Sequence, residues 1–342
     1  MKRFLCGLAV TGALSAEPIQ VPVGTDYSLP GRLDVPAGAR GVVVLLHGSG
    51  AASMDEELQV ATKDQASNPF FVDLSDALQA QKLAVLRYDK RNYALSKTPS
   101  DSALQSLKEH PALSFIQDAL SAVAVARQKC PGLPVYLVGH SEGTWVAQQA
   151  ALKDGKISGL GLISFTGASL ETLITEQVGY RPLALFDGLD KNHDLVLESS
   201  ELDGTLKSEM PVLDLNHDGN LSRSEFQAAN LSNLILRPIL PDAWRRDEAS
   251  LPTPIQLAQQ ADYPLVFLQG EWDNQTPAFV VKALEICETQ VWKKGNKHFV
   301  YFPGCGHALD PRDSFEDTVY RRPDKATFER AAGEMARFWF QR

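Results

Sequence analysis

The chain has 342 residues, of which 44% are hydrophobic and 22% charged. That composition excludes a chain disordered along its length, a collagen-like fibre and a coiled coil. Lys+Arg 33 against Asp+Glu 42 gives a formal charge of −9, which excludes a broad basic surface for nucleic acid. No run of 18 apolar residues occurs, so no spanning helix or stable membrane anchor is expected in the body of the chain.

In chain order, Lys2 and Arg3 precede the apolar stretch Phe4–Leu14 and the small residues Ser15 and Ala16. This is the pattern of an export leader over residues 1–16, and it predicts a periplasmic or secreted protein. The remaining cysteines are Cys130, Cys287 and Cys305. An odd number permits at most one internal disulfide. Cys287 with Cys305 is the better pair, and three reduced thiols are the alternative.

Ile19–Asp34 reads as an antiparallel hairpin. Gly41–His47, a β-branched and aliphatic run ending at glycines, reads as a buried central strand. Helical spacing over 70–81 precedes a strand over 83–88, and a helix over 113–128 precedes a strand over 135–138. A helix over 141–152 and a strand over 157–163 follow. The alternation then breaks from 167 to 250. It resumes with strands over 265–268 and 299–302 and closes with a helix over 328–340. Repeated β-α-β predicts an α/β fold with a mostly parallel sheet covered by helices. The catalytic body is then 17–166 with 251–342, and 167–250 is an insertion.

Gly139-His140-Ser141-Glu142-Gly143 fits G-x-S-x-G, after a predicted strand and before a predicted helix. Such a turn is so tight that only small residues fit beside the serine, which is held out at the strand end. Asp273 follows the strand over 265–268, and His307 follows that over 299–302. A serine hydroxyl needs a base to take its proton, and the imidazole needs a carboxylate to fix its tautomer. Ser141, His307 and Asp273 supply these groups, with Glu271 the competitor for the acid. His47-Gly48-Ser49-Gly50 ends an earlier strand. The Ser49 and Glu142 N–H groups are the expected oxyanion donors, and His47 is expected to support the turn.

These motifs, with Asn68-Pro69-Phe70 and Leu86-Arg-Tyr-Asp-Lys-Arg91, resemble bacterial esterases of the α/β-hydrolase superfamily, of the serine aminopeptidase-like or dienelactone-hydrolase-like kind. The resemblance implies the α/β-hydrolase fold and hydrolysis of carboxylic esters by the Ser-His-Asp triad, without an organic cofactor. Dienelactone hydrolases carry cysteine where this chain has Ser141. Relatives often have glycine after Asp-Lys-Arg, where this chain has Asn92-Tyr93. The same triad also serves peptides or thioesters. A calcium-dependent binding module without turnover is the reading from another class.

Between Asp187 and Glu225, ten acids face only Lys191, Lys207 and Arg223, a net −7 that leaves −2 for the rest of the chain. Within this stretch, 214–225 matches the calcium-loop pattern D-x-[DN]-x-[DN]-G-x5-E in full. Asp214, Asn216, Asp218, Asn220, Ser222 and Glu225 are its candidate ligands, and Gly219 permits the sharp turn. A second copy over 190–201 offers Asp190, Asn192, Asp194, Val196, Glu198 and Glu201. There Leu195 replaces the glycine and must take a positive φ at a steric cost. Hard oxygen donors at this spacing suit Ca²⁺. The pair resembles EF-hand repeats of secreted bacterial proteins. The insertion is therefore expected to be a helical lid holding one or two calcium ions, with Leu173, Ile174, Leu234, Ile235 and Leu236 as its apolar surface.

Overall fold

The computed structural model describes residues 15–58, 68–179, 181–202, 204–236, 240–315, 317 and 319–341, without the side chains of 15, 181, 182, 184, 205 and 230–236. The leader expectation falls on residues 1–14, outside the described residues, and on Ser15 and Ala16, which open the first strand.

The central sheet has eight strands: β1 Ser15–Val23, β2 Tyr27–Val35, β3 Gly41–Leu46, β4 Leu83–Tyr88, β5 Val135–His140, β6 Gly159–Ile163, β7 Leu265–Gly270 and β8 Lys297–Phe302. Their spatial order is β1-β2-β4-β3-β5-β6-β7-β8. The N-terminal hairpin is antiparallel, β2 runs against β4, and β4 to β8 are mutually parallel. All residues of β3, β4, β5, β6 and β7 are buried, because helices cover both faces. Strand alternation divides the core in two. Val42, Val44 and Leu46 join one cluster with the helix Pro111–Lys129, while Val43 and Leu45 join another with the helices Phe70–Ala80 and Lys325–Phe340. Phe70 and Phe71 have no exposed surface, and burial of each side chain contributes about 1.5–3 kcal/mol.

Local chemistry sets the helix ends. Pro111 opens Pro111–Lys129, where a missing N–H costs nothing. Asp247 reaches across from the helix Asp242–Ala249, its Oδ2 accepting from the N–H groups of Ala112 (3.1 Å) and Leu113 (3.3 Å). A buried carboxylate there complements the positive end of the helix dipole. Trp244 of the same short helix packs on Phe115 and Trp145. Asp242–Ala249 thus packs into the core of the body, although it lies within 167–250.

Two expectations change. The strand over 135–138 continues through Gly139 to His140, because Gly139 pairs with Leu46 on one side and Leu162 on the other. The expected Cys287–Cys305 disulfide is not formed, and Cys130, Cys287 and Cys305 are free thiols. The sheet separates the pair. Cys287 follows the helix Ala278–Ile286, whose Val281 and Leu284 belong to the first core, whereas Cys305 packs against the second.

Candidate active site

The carboxyl ends of β3, β5, β7 and β8 lie along one edge of the sheet, where parallel α/β proteins form their clefts. Ser141 leaves β5 at φ 53° and ψ −121°, a strained conformation for a side-chain-bearing residue, and opens the helix Glu142–Asp154. The flanking glycines are obligatory. A Cβ on Gly139 would lie 2.1 Å from the Gly143 carbonyl oxygen, and one on Gly143 would lie 2.1 Å from that of Leu46. The tight turn leaves Ser141 half-buried, with its Oγ making no hydrogen bond among the described residues.

Asp273 and His307 meet across adjacent strand ends. His307 Nδ1 lies 3.0 Å from both carboxylate oxygens of Asp273. Asp273 is fully buried and also accepts from the N–H groups of Gln275 and Thr276 (both 2.9 Å), Thr276 Oγ1 (2.7 Å) and Gln269 Nε2 (3.0 Å). Burial alone would raise its pKa. The His307 ring and the Thr276 hydrogen bonds outweigh burial and hold it at about 2. Glu271, the competing acid, pairs instead with Lys282 at 3.3 Å. Gly270 lets the two loops touch, since a Cβ there would lie 2.2 Å from the Gly306 carbonyl oxygen.

Ser141 and His307 approach from β5 and β8 but share no hydrogen bond; such bonds often tighten only with substrate bound. His140 joins their loops. It donates from Nε2 to the His307 carbonyl (3.2 Å) and from Nδ1 to Glu56 Oε1 (3.1 Å). Both partners are acceptors, so both ring nitrogens carry protons and His140 is an imidazolium. Burial opposes that charge, but Glu56 overrides it and raises the His140 pKa.

His47 supports its turn as expected, with Nε2 donating to the Ser53 carbonyl at 3.1 Å. Burial holds it neutral, with a pKa of about 4. The N–H groups of Ser49 and Glu142 have no partner among the described residues, and a Cβ built on Gly48 would lie 3.3 Å from Ser141 Cβ. The structure therefore gathers Ser141, Asp273, His307, Ser49 and Glu142 at one edge.

A family model for the alpha/beta hydrolase family matches residues 43–321. The chain belongs to that family. It is 30% identical over 158 residues to esterase EstD of Thermotoga maritima, a stretch covering 46% of this chain and 35% of the relative. The chain thus spans about a third of that relative's length. Among solved structures, TT1662 from Thermus thermophilus aligns with TM-score 0.52 at 15% identity, over 97% of this chain and 100% of the other. Est1E from Butyrivibrio proteoclasticus aligns with TM-score 0.50 at 15% identity, over 94% and 98%. These likenesses show an α/β-hydrolase fold with a mostly parallel sheet flanked by helices.

The acidic loops form a separate unit. Val196–Leu197 and Leu221–Ser222 pair as a short antiparallel ribbon joining the two copies. Leu197 and Leu221 point into a small core with Phe186, Leu202 and Phe226. The loops fold alike. Asp214 accepts from the N–H groups of Asp218 and Gly219, as Asp190 accepts from those of Asp194 and Leu195. Glu225 and Glu201 close their loops, Glu225 accepting from the N–H groups of Asn216 and Ser222, and Glu201 from those of Lys191 and Glu198. Gly219 has φ 86°, and Leu195 adopts φ 67°, the conformation expected of it.

Among the described residues no three His, Cys, Asp or Glu side chains converge as a metal cluster; the carboxylates point at loop N–H groups. The donor chemistry nonetheless fits a hard cation. Asp190, Asp214 and Glu225 are buried, and none of them has a Lys, Arg or His partner among the described residues. Of the expected apolar surface, Leu173 is buried and Ile174 packs against the main core, while the side chains of Leu234, Ile235 and Leu236 lie outside the described residues. Gln177 Nε2 donates to the Gln275 carbonyl at 3.2 Å, tying the helix Leu170–Gly179 to the loop of Asp273.

No sequence motif gives Glu56, Thr276 or Gln269 a role, and Lys90 and Arg91 enter only through the run Leu86–Arg91 that carries the resemblance, because their partners lie on distant segments.

Proposed function

We propose that the protein is a serine hydrolase of carboxylic esters, exported to the periplasm or beyond, with calcium bound in its inserted lid. The observation that carries the reading is the buried Asp273–His307 pair beside a serine held in a strained strand-to-helix turn. The similarity to a Thermotoga maritima esterase supports an ester as the small-molecule substrate.

Ser141 Oγ attacks the ester carbonyl while His307 Nε2 takes its proton. Asp273 holds Nδ1–H and steadies the imidazolium. The carbonyl oxygen becomes an oxyanion facing the Ser49 and Glu142 N–H groups. Collapse breaks the ester C–O bond, and His307 returns the proton to the departing alcohol. Water, deprotonated by His307, then attacks the acyl-enzyme, releasing the acid and restoring Ser141. Bound Ca²⁺ would neutralise the lid carboxylates. Asp214, Asn216, Asp218, Asn220, Ser222 and Glu225 would hold one ion, and the 190–201 loop a second. Both sites are structural.

Hydrolysis of a p-nitrophenyl ester series tests the reading. Turnover is expected with at least one member of the series and falls at least about 10³-fold in Ser141→Ala. Turnover unchanged in that variant would overturn it. No turnover by the wild type, with no labelling of Ser141 by a fluorophosphonate, would favour the binding module.

A further inference from the structure

Lys90 lies two residues beyond β4, at the start of the helix Arg91–Lys97, yet only 5% of its surface is exposed. Its ammonium donates to the Gly48 carbonyl at 2.6 Å and to Glu142 Oε1 at 2.8 Å, and lies 4.5 Å from the centre of the Phe115 ring. Those two acceptors belong to the two segments that carry the oxyanion donors. The Gly48 carbonyl and the Ser49 N–H are the two ends of one peptide unit. In a planar trans peptide they point in opposite directions, so a cation fixing the C=O also fixes the N–H. The preceding peptide is held as firmly, because the Gly48 N–H donates to Glu56 Oε1 at 2.6 Å. Without these restraints a glycine-flanked peptide can rotate, turning its carbonyl towards the site where the N–H should be.

We propose that Lys90 is a positioning residue for ester hydrolysis. By clamping the Gly48 carbonyl and the Glu142 carboxylate, it aims the Ser49 N–H at the oxyanion and fixes its distance from the Glu142 N–H. The proposal rests on the triad reading given above. Glu56 assists from the other side, through Gly48 on one hand and through His140 to the His307 carbonyl on the other. One buried chain of charged groups thereby sets the oxyanion loop and the general-base loop together.

The clamp acts on a group that matters mainly once the carbonyl oxygen is negative, so its loss should fall on kcat more than on KM. Lys90→Met and the double variant Lys90→Met/Glu142→Gln, which leaves no unpaired buried charge, are assayed with a p-nitrophenyl ester. Both are also titrated with a trifluoromethyl ketone, which binds as a tetrahedral oxyanion, and with the product acid. The expected result in a variant that folds is a kcat loss of about 100-fold, KM within about threefold, and ketone affinity falling in step with kcat while acid affinity holds. A kcat within about threefold of wild type, or equal weakening of ketone and acid, would overturn the proposal. Failure of both variants to fold would assign Lys90 a purely structural role and also overturn it. A wild type without turnover or serine labelling would instead overturn the triad reading on which the proposal rests.

Discussion

Asp273 shows how much chemistry one carboxylate can carry. It is sealed from water, yet four donors besides His307 compensate its charge, so it stays ionised down to about pH 2. Its folded pKa is depressed, so its contribution to stability is present above the unfolded value of about 4 and is lost as pH falls through 2. Asp273→Asn is expected to lower kcat by about 10³–10⁴-fold with little change in KM, because an amide there misdirects the His307 tautomer. Steady-state kinetics at pH 7–8 check this. A loss below tenfold would mean that another acid orients His307.

At the scale of elements, the segment 167–250 joins two structures of different kinds. Its first helix, Leu170–Gly179, docks on the body through Leu170, Ile174 and Gln177. The paired loops carry their own five-residue core. A core that small cannot offset the repulsion among so many carboxylates, so a bound cation should dominate the stability of this unit. Addition of a chelator is expected to lower the melting temperature, and calcium to restore it. Equal melting curves would overturn the proposal that these loops bind calcium. Leu195→Gly relieves a left-handed residue whose side chain is 58% exposed and packs little. It should raise stability in calcium by about 1 kcal/mol, whereas the same change at an ordinary exposed position would be destabilising or neutral.

The whole molecule places unlike charges beneath its active edge. Neutral His47, the imidazolium of His140, Glu56 and Lys90 are all buried within one region. His47 is a base whose folded pKa, about 4, lies below its unfolded value of about 6.5. Its neutral form therefore supports the fold fully above pH 6.5, and that support fades as pH falls towards 4 and the unfolded chain takes up the proton. The amount at stake is on the order of 3 kcal/mol. His140, with a raised folded pKa, works in the opposite sense and favours the fold at low pH. Denaturant unfolding of wild type and His47→Gln between pH 7 and 4 separates the two. The variant, though less stable at pH 7, should lose stability less steeply as pH falls. Parallel curves would show that His47 does not titrate with folding.

The sheet, its helices and the strand-end positions of Ser141 and His307 were legible in the sequence because each depends on local pattern. Uniform apolar runs mark buried strands, and the glycines around Ser141 are demanded by a turn that only a few residues span. The positive φ of Leu195 was legible for the same reason, since the loop pattern fixes the backbone wherever the residue occurs. Tertiary structure alone decided what depends on segments far apart in the chain. It set Asp273 rather than Glu271 against His307, divided Cys287 from Cys305 by the sheet, and drew Asp242–Ala249 into the core through Asp247 and Trp244. It also brought Lys90 to Gly48 and Glu142, and Glu56 to His140. A buried ion pair leaves no periodic trace in a sequence, because its energy comes from partners that only the finished fold removes from water together.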